Sequence, residues 1–123
     1  MQKTIFFLLC AILVSCGKSA PPPGPADAIT ATYKALEAQD SAGFMATLSQ
    51  DKLDECAINP GRVDSTLNHW KGRHAEVKIL SVTQKDSVAT IIYNLKITGN
   101  NPAEHDSIIA RTYLENGVWK HGY

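Results

Sequence analysis

From Val88 to Thr98 the chain alternates with a period of two. Ala89, Ile91, Tyr93, Leu95 and Ile97 fall on one side of an extended backbone, and Thr90, Asn94, Lys96 and Thr98 fall on the other. That pattern belongs to a strand with one face in a core and one in water. It commits this half of the chain to an antiparallel sheet covered on one side only.

The flanking segments extend the sheet. Glu76 to Lys85 is rich in β-branched residues, and Asp86-Ser87 makes a turn before the alternating strand. Gly99-Asn100-Asn101-Pro102 breaks that strand, and Asp106 to Glu115 reads as the next. Asn116-Gly117 suits a two-residue hairpin, because both positions need φ > 0, and Val118 to Tyr123 is the returning strand. A two-residue loop fixes the register: Glu115 opposite Val118, Leu114 opposite Trp119, Thr112 opposite His121, Ala110 opposite Tyr123. One face then carries Ile108, Ala110, Thr112, Leu114, Trp119, His121 and Tyr123, and should meet the helices. The other carries Ile109, Arg111, Tyr113, Glu115, Val118 and Lys120.

The first half has the helical period. Within Pro25 to Gln39, Ile29, Tyr33 and Leu36 stand at i, i+4 and i+7. Asp40 and Ser41 can cap a second short helix, Ala42 to Leu48, with Phe44, Met45 and Leu48 apolar. A third is expected from Asn59-Pro60, with Val63, Leu67 and Trp70 on one stripe and Gly72 as its stop. Helices first and a four-stranded meander after make an α+β domain, with the helices on one face of a curved antiparallel sheet.

The N-terminus reads as an address. One cation, Lys3, precedes an apolar run from Ile5 to Val14 of about ten residues, too short to span a bilayer as a helix. Leu13-Val14-Ser15-Cys16 resembles the lipobox of bacterial lipoproteins. The resemblance implies cleavage between Ser15 and Cys16 and acylation of the Cys16 thiol. Residues 1–15 would be the signal peptide and residues 16–25 a lipidated, proline-rich tether. The domain would occupy residues 26–123. The tether favours polyproline II and would hold the domain about 30 Å from the lipid. Gly17 follows the cysteine without an acidic residue, which by the same resemblance favours the periplasmic side of the outer membrane.

With Cys10 and Cys16 assigned to the leader and the anchor, Cys56 stands alone in the domain, and the fold must rest on its core. Acidic Asp54 and Glu55 beside it discourage a thiolate. Removing residues 1–15 takes Lys3 from twelve basic residues and leaves eleven against twelve acidic, a formal charge of −1. That balance excludes a nucleic-acid footprint. Lys71, Arg73, His74 and Lys78 read as a solvated turn leading into a strand. His69, His74, His105 and His121 lack metal-ligand spacing, so neither metal nor cofactor is expected.

Ile29-Thr-Ala-Thr-Tyr-Lys-Ala-Leu36, Asp40-Ser-Ala-Gly-Phe-Met-Ala-Thr-Leu48 and Tyr113-Leu-Glu-Asn-Gly-Val-Trp-Lys120 resemble the two ends of cone-shaped domains of the nuclear transport factor 2 type. Small bacterial lipoproteins share this fold. The resemblance implies a pocket between sheet and helices, which enzymes on this fold, isomerase- or cyclase-like, equip with a carboxylate or histidine base. Here the inner faces of the last three strands carry no Asp or Glu. The pocket-lining candidates are Tyr33, Tyr93, Thr112, His121 and Tyr123, with no residue assigned to catalysis.

These readings make the chain an envelope lipoprotein anchored through acylated Cys16, a non-catalytic module for an envelope protein or a small apolar ligand. A small pocket enzyme using His121 is the alternative, and an immunity-type lipoprotein that recognises a secreted partner is a third. Ile109, Tyr113 and Val118 give the outer sheet face some apolar area on which a dimer could form.

Overall fold

The structure is a computed structural model that describes residues 23–122. The signal, the lipobox residues Ser15 and Cys16, most of the tether, and Tyr123 lie outside the described residues. Within them the helices are α1 (Asp27–Glu37), α2 (Ser41–Ala46), α3 (Gln50–Ile58) and α4 (Arg62–Trp70). The strands β1 (Arg73–Lys85), β2 (Val88–Gly99), β3 (Ala103–Glu115) and β4 (Val118–His121) follow. They pair antiparallel in the order β1-β2-β3-β4.

The inner row of β2 is the centre of the core. Ala89, Ile91, Tyr93, Leu95 and Ile97 are all buried, and the helices cover them with Ile29, Leu36, Phe44, Leu67 and Trp70. The hairpin register is the expected one for each described pair: Thr112 with His121, Leu114 with Trp119, Glu115 with Val118. Asn116 and Gly117 both take positive φ, 51° and 80°, as a two-residue turn requires. Ala110, Thr112 and His121 face inward, while Ile109 and Val118 face solvent. Leu114 shares the inner alternation but lies next to the hairpin turn and is exposed.

Two bulges bend the sheet, one in β1 at Leu80, between Ile79 and Ser81, and one in β3, where Asp106 and Ser107 oppose the single Asn94 of β2. At the second, Ser107 takes φ 55° and its N–H donates to Asn94 Oδ1 at 2.9 Å, so the irregularity has its own partner.

The helices depart from expectation in one region. Gln50–Ile58 forms a helix that the periodicity did not announce, capped by Ser49, whose hydroxyl accepts from Lys52 N at 3.4 Å. It has no buried residue and touches the core through half-buried Leu53 and Cys56. Because α3 runs to Ile58, Asn59 becomes its C-cap. The next helix cannot start at Asn59-Pro60 and begins instead at Arg62, after Gly61 takes φ 92°. Elsewhere Asp40 caps α2 as expected, accepting from Gly43 N at 2.9 Å.

Arg73 corrects the reading of a solvated basic cluster: it is buried. Its Nε donates to Asn100 O at 2.9 Å, Nη2 to Asn101 O at 2.7 Å, and Nη1 lies 2.7 Å from His69 Nε2. The guanidinium also stacks 5.2 Å from the centre of the Trp70 ring. Guanidinium carries no acceptor, so Arg73 must donate to His69 Nε2, which takes the lone pair there. One side chain thus joins the end of α4 to the β2–β3 turn. It explains why β1 begins at Arg73, three residues before the expected Glu76, and why β3 begins at Ala103.

Candidate binding cleft and buried histidine

The polar residues expected to line one pocket separate into two groups. Tyr33 on α1 and Tyr93 on β2 meet hydroxyl to hydroxyl at 2.7 Å. The Tyr33 ring leans on Trp70 with centroids 5.4 Å apart and on Tyr93 at 6.1 Å. Burial raises the Tyr93 pKa above its ordinary 10.0, against the lowering effect of the Tyr33 hydrogen bond. These rings pack the space between α1, α4 and the sheet.

Thr112 and His121 lie together two steps along the inner rows from Tyr93, opposite each other in the β3–β4 register. Thr112 is fully buried, and its hydroxyl has no hydrogen-bond partner among the described residues. His121 is held through its backbone by the segment before α3. His121 N donates to Thr47 O at 2.7 Å, and Ser49 N donates to His121 O at 2.9 Å.

The ring of His121 joins a chain of hydroxyls. Nδ1 is 3.2 Å from Thr32 Oγ1; Thr32 Oγ1 is 2.8 Å from Ala28 O and 2.9 Å from Thr47 Oγ1; Thr47 Oγ1 donates to Phe44 O at 2.7 Å. A threonine hydroxyl has one hydrogen. If Thr32 gives it to Ala28 O or to Thr47 Oγ1, the ring Nδ1–H donates to Thr32; if Thr32 gives it to the ring, Nδ1 accepts. Burial, with a smaller effect from the Lys52 charge, lowers the His121 pKa from 6.5 to about 4, so the ring is neutral at pH 7.

The polar chain leads toward a surface cleft. Thr47 and Ala28 form part of the wall of a hollow of about 350 Å³ between α1, the end of α2 and the β3–β4 turn. Ala31, Ala46, Val118 and Trp119 supply its apolar lining, and Pro23 and Gly24 line it where the described chain begins. The small side chains of Ala28, Ala31 and Ala46 leave this space. Asp27 stands at its edge but is engaged, accepting from Gly24 N at 2.6 Å. Lys120 nearby donates to Ala46 O at 2.6 Å.

Three other clefts lie elsewhere. A gap of about 30 Å³ beside Cys56, Lys52 and Arg62 has room for little more than water. Two shallow hollows cross the outer sheet face near Lys96 and Glu104. None of these four is lined by Tyr33, Tyr93, Thr112 or His121. Among the described residues there is no His, Cys, Asp and Glu grouping that could hold a metal, and no helix long and apolar enough to cross a membrane. The cleft was not foreseen in the sequence. Its signal was the run of alanines at 28, 31 and 46 facing the Asn-Gly hairpin, which has no periodicity of its own.

No family model matches the chain, and no curated protein does. Solved structures do. A SEC-C motif containing protein from Rhodopseudomonas palustris aligns with 80% of this chain and 75% of its own, at TM-score 0.66 and 16% identity. A protein described as a calcium/calmodulin-dependent protein kinase type II association domain, from Thiobacillus denitrificans, aligns over 84% and 93%, at 0.60 and 19%. A protein of unknown function with a cystatin-like fold from Nostoc punctiforme aligns over 78% and 81%, at 0.58 and 12%. Likeness at these identities establishes the fold alone. The architecture is a cystatin-like α+β cone, with a curled four-stranded antiparallel sheet.

Proposed function

We propose that this chain is a membrane-anchored envelope lipoprotein whose domain binds a small apolar ligand in the Trp119 cleft without transforming it. The observation that carries the reading is the cleft itself. Its volume of about 350 Å³ lies in the range of ligand sites, and its lining is largely apolar. The anchor rests on Leu13-Val14-Ser15-Cys16 and the charged, apolar leader before it. Support for binding over catalysis comes from His121. Its basic nitrogen is buried, its pKa is far below that of a base poised for neutral pH, and the cleft does not reach it.

The test is native mass spectrometry of the protein purified from its own envelope. A bound small molecule is expected on the wild-type chain and absent from Ala31→Phe, which fills the cleft from an exposed position. A bare wild-type protein overturns the ligand reading. A precursor that does not accumulate when lipoprotein signal peptidase is inhibited overturns the anchor.

A further inference from the structure

We infer that Ser19–Pro22, the stretch immediately before the described domain, docks in the Trp119 cleft when no ligand fills it, so that tether and ligand compete for one site. The inference rests on the reading of this cleft as a binding site. Four observations converge on it.

The chain reaches the domain at the cleft wall. Pro23 and Gly24 line the hollow, and the Gly24 N–H is fixed by Asp27 Oδ2. The residues just before them therefore start beside Trp119. Three or four residues in polyproline II reach roughly 9–12 Å at about 3.1 Å each, enough to cross such a hollow.

The chemistry of segment and cleft also matches. Ser19-Ala20-Pro21-Pro22 carries two prolines, which have no N–H to leave unsatisfied. The side-chain acceptors in the wall are few, Thr47 and the already engaged Asp27. A donor-rich peptide would lose hydrogen bonds there, and a proline-rich one loses none at its ring nitrogens. Trp119 offers the kind of aromatic wall that proline-rich segments use elsewhere, and a preformed polyproline helix has little entropy to lose. Docking is intramolecular, so the segment acts at an effective concentration in the millimolar range, and weak contacts suffice. Ligand binding would then release the tether and lengthen the reach of the domain from its anchor.

The experiment uses the full chain in phospholipid nanodiscs, labelled with 5-fluorotryptophan and exposed to a neutral gadolinium chelate. The buried Trp70 serves as the internal reference. In the Pro21→Ser/Pro22→Ser variant, relaxation of the Trp119 fluorine signal should rise about two-fold or more while Trp70 is unmoved, as expected when an aromatic wall is uncovered. The peptide Ser-Ala-Pro-Pro-Pro-Gly added in trans should restore the wild-type value. Equal relaxation in wild type and variant overturns the inference. If that equality is found while a ligand still copurifies, the binding reading stands and the tether alone is removed. An uncovered Trp119 with no ligand captured from the envelope keeps the tether and removes the ligand.

Discussion

Acid should weaken this fold through one buried ring. An unfolded His121 takes its proton near 6.5, the folded ring only near about 4. Between those values the unfolded state binds more protons, so stability falls as pH falls and is regained as pH rises through 6.5. The full gap corresponds to about 3 kcal/mol, and at pH 5 about 2 kcal/mol of it is already lost. The structural cause is specific. The protonated ring would sit in the core against the Thr32 hydroxyl and near the Lys52 charge. Urea denaturation at pH 7 and pH 5 reads the effect. With a slope of about 1.5 kcal/mol/M, the wild-type midpoint should fall by about 1.3 M. The decisive quantity is the difference from His121→Asn, which removes this ring alone and whose amide can still hydrogen-bond Thr32 Oγ1. That variant begins less stable but should lose far less between pH 7 and 5. Parallel losses in the two proteins would refute the account of His121 as the acid-sensitive group.

Four further outcomes follow from the packing. Arg73→Lys keeps the charge but not the fork that reaches both Asn100 and Asn101 carbonyls, and should destabilise by about 2–3 kcal/mol in thermal or urea unfolding; a change under half a kilocalorie would show the anchor to be dispensable. Gly99→Ala should be severe, because φ is 91° and a Cβ would strike the Gly72 carbonyl oxygen, whereas Gly117→Ala, with open space around it, should lose only about 1 kcal/mol; equal losses would contradict the close approach of the two turns. Thr112→Val replaces a buried hydroxyl that has no partner among the described residues and should leave stability unchanged or raise it by about 1 kcal/mol, with a clear loss refuting that assignment. A double-mutant cycle of Tyr33→Phe and Tyr93→Phe should give a coupling of about 1 kcal/mol from the 2.7 Å hydroxyl contact, and additivity would deny it.

The sheet was legible because its signals are local and strict. A period of two leaves one choice of buried face for β2, and a two-residue Asn-Gly loop leaves one register for β3 and β4. The inward placement of Thr112 and His121 followed from that register alone. What escaped was set by contacts between distant segments. In α3 only Leu53 and Cys56 touch the core, too short a stripe to stand out as periodicity. Arg73 looked like one surface cation among four, since its partners are two backbone carbonyls in a turn and a histidine one helical turn back. Carbonyl acceptors have no sequence signature. For the same reason Tyr93, Thr112 and His121 lie on the buried face as the alternation requires, but they do not share one pocket with Tyr33. The alternation says which side a residue faces, not what helix lies across from it.

Side-chain size then decides where this cone keeps its free space. Between α1, α4 and the centre of β2, Tyr33 packs at tilted and edge-on angles against Trp70 and Tyr93, with the Arg73 guanidinium over Trp70, and together they fill the volume. Along the seam of α1, α2 and the hairpin, Ala28, Ala31 and Ala46 leave it open. The same curved sheet and helices could support the opposite arrangement, with alanines in the interior and aromatics on the seam, and would then enclose an internal pocket floored by Tyr93. In this chain the hollow instead lies at the surface, where the segment from the N-terminus arrives. Its wall includes Trp119 and Thr47, while His121 is neutral and hydrogen-bonded into a chain of hydroxyls that ends on the Phe44 carbonyl. Those hydrogen bonds tie the wall of the hollow to the hairpin and to α1. The cleft therefore has a floor braced by side-chain hydrogen bonds.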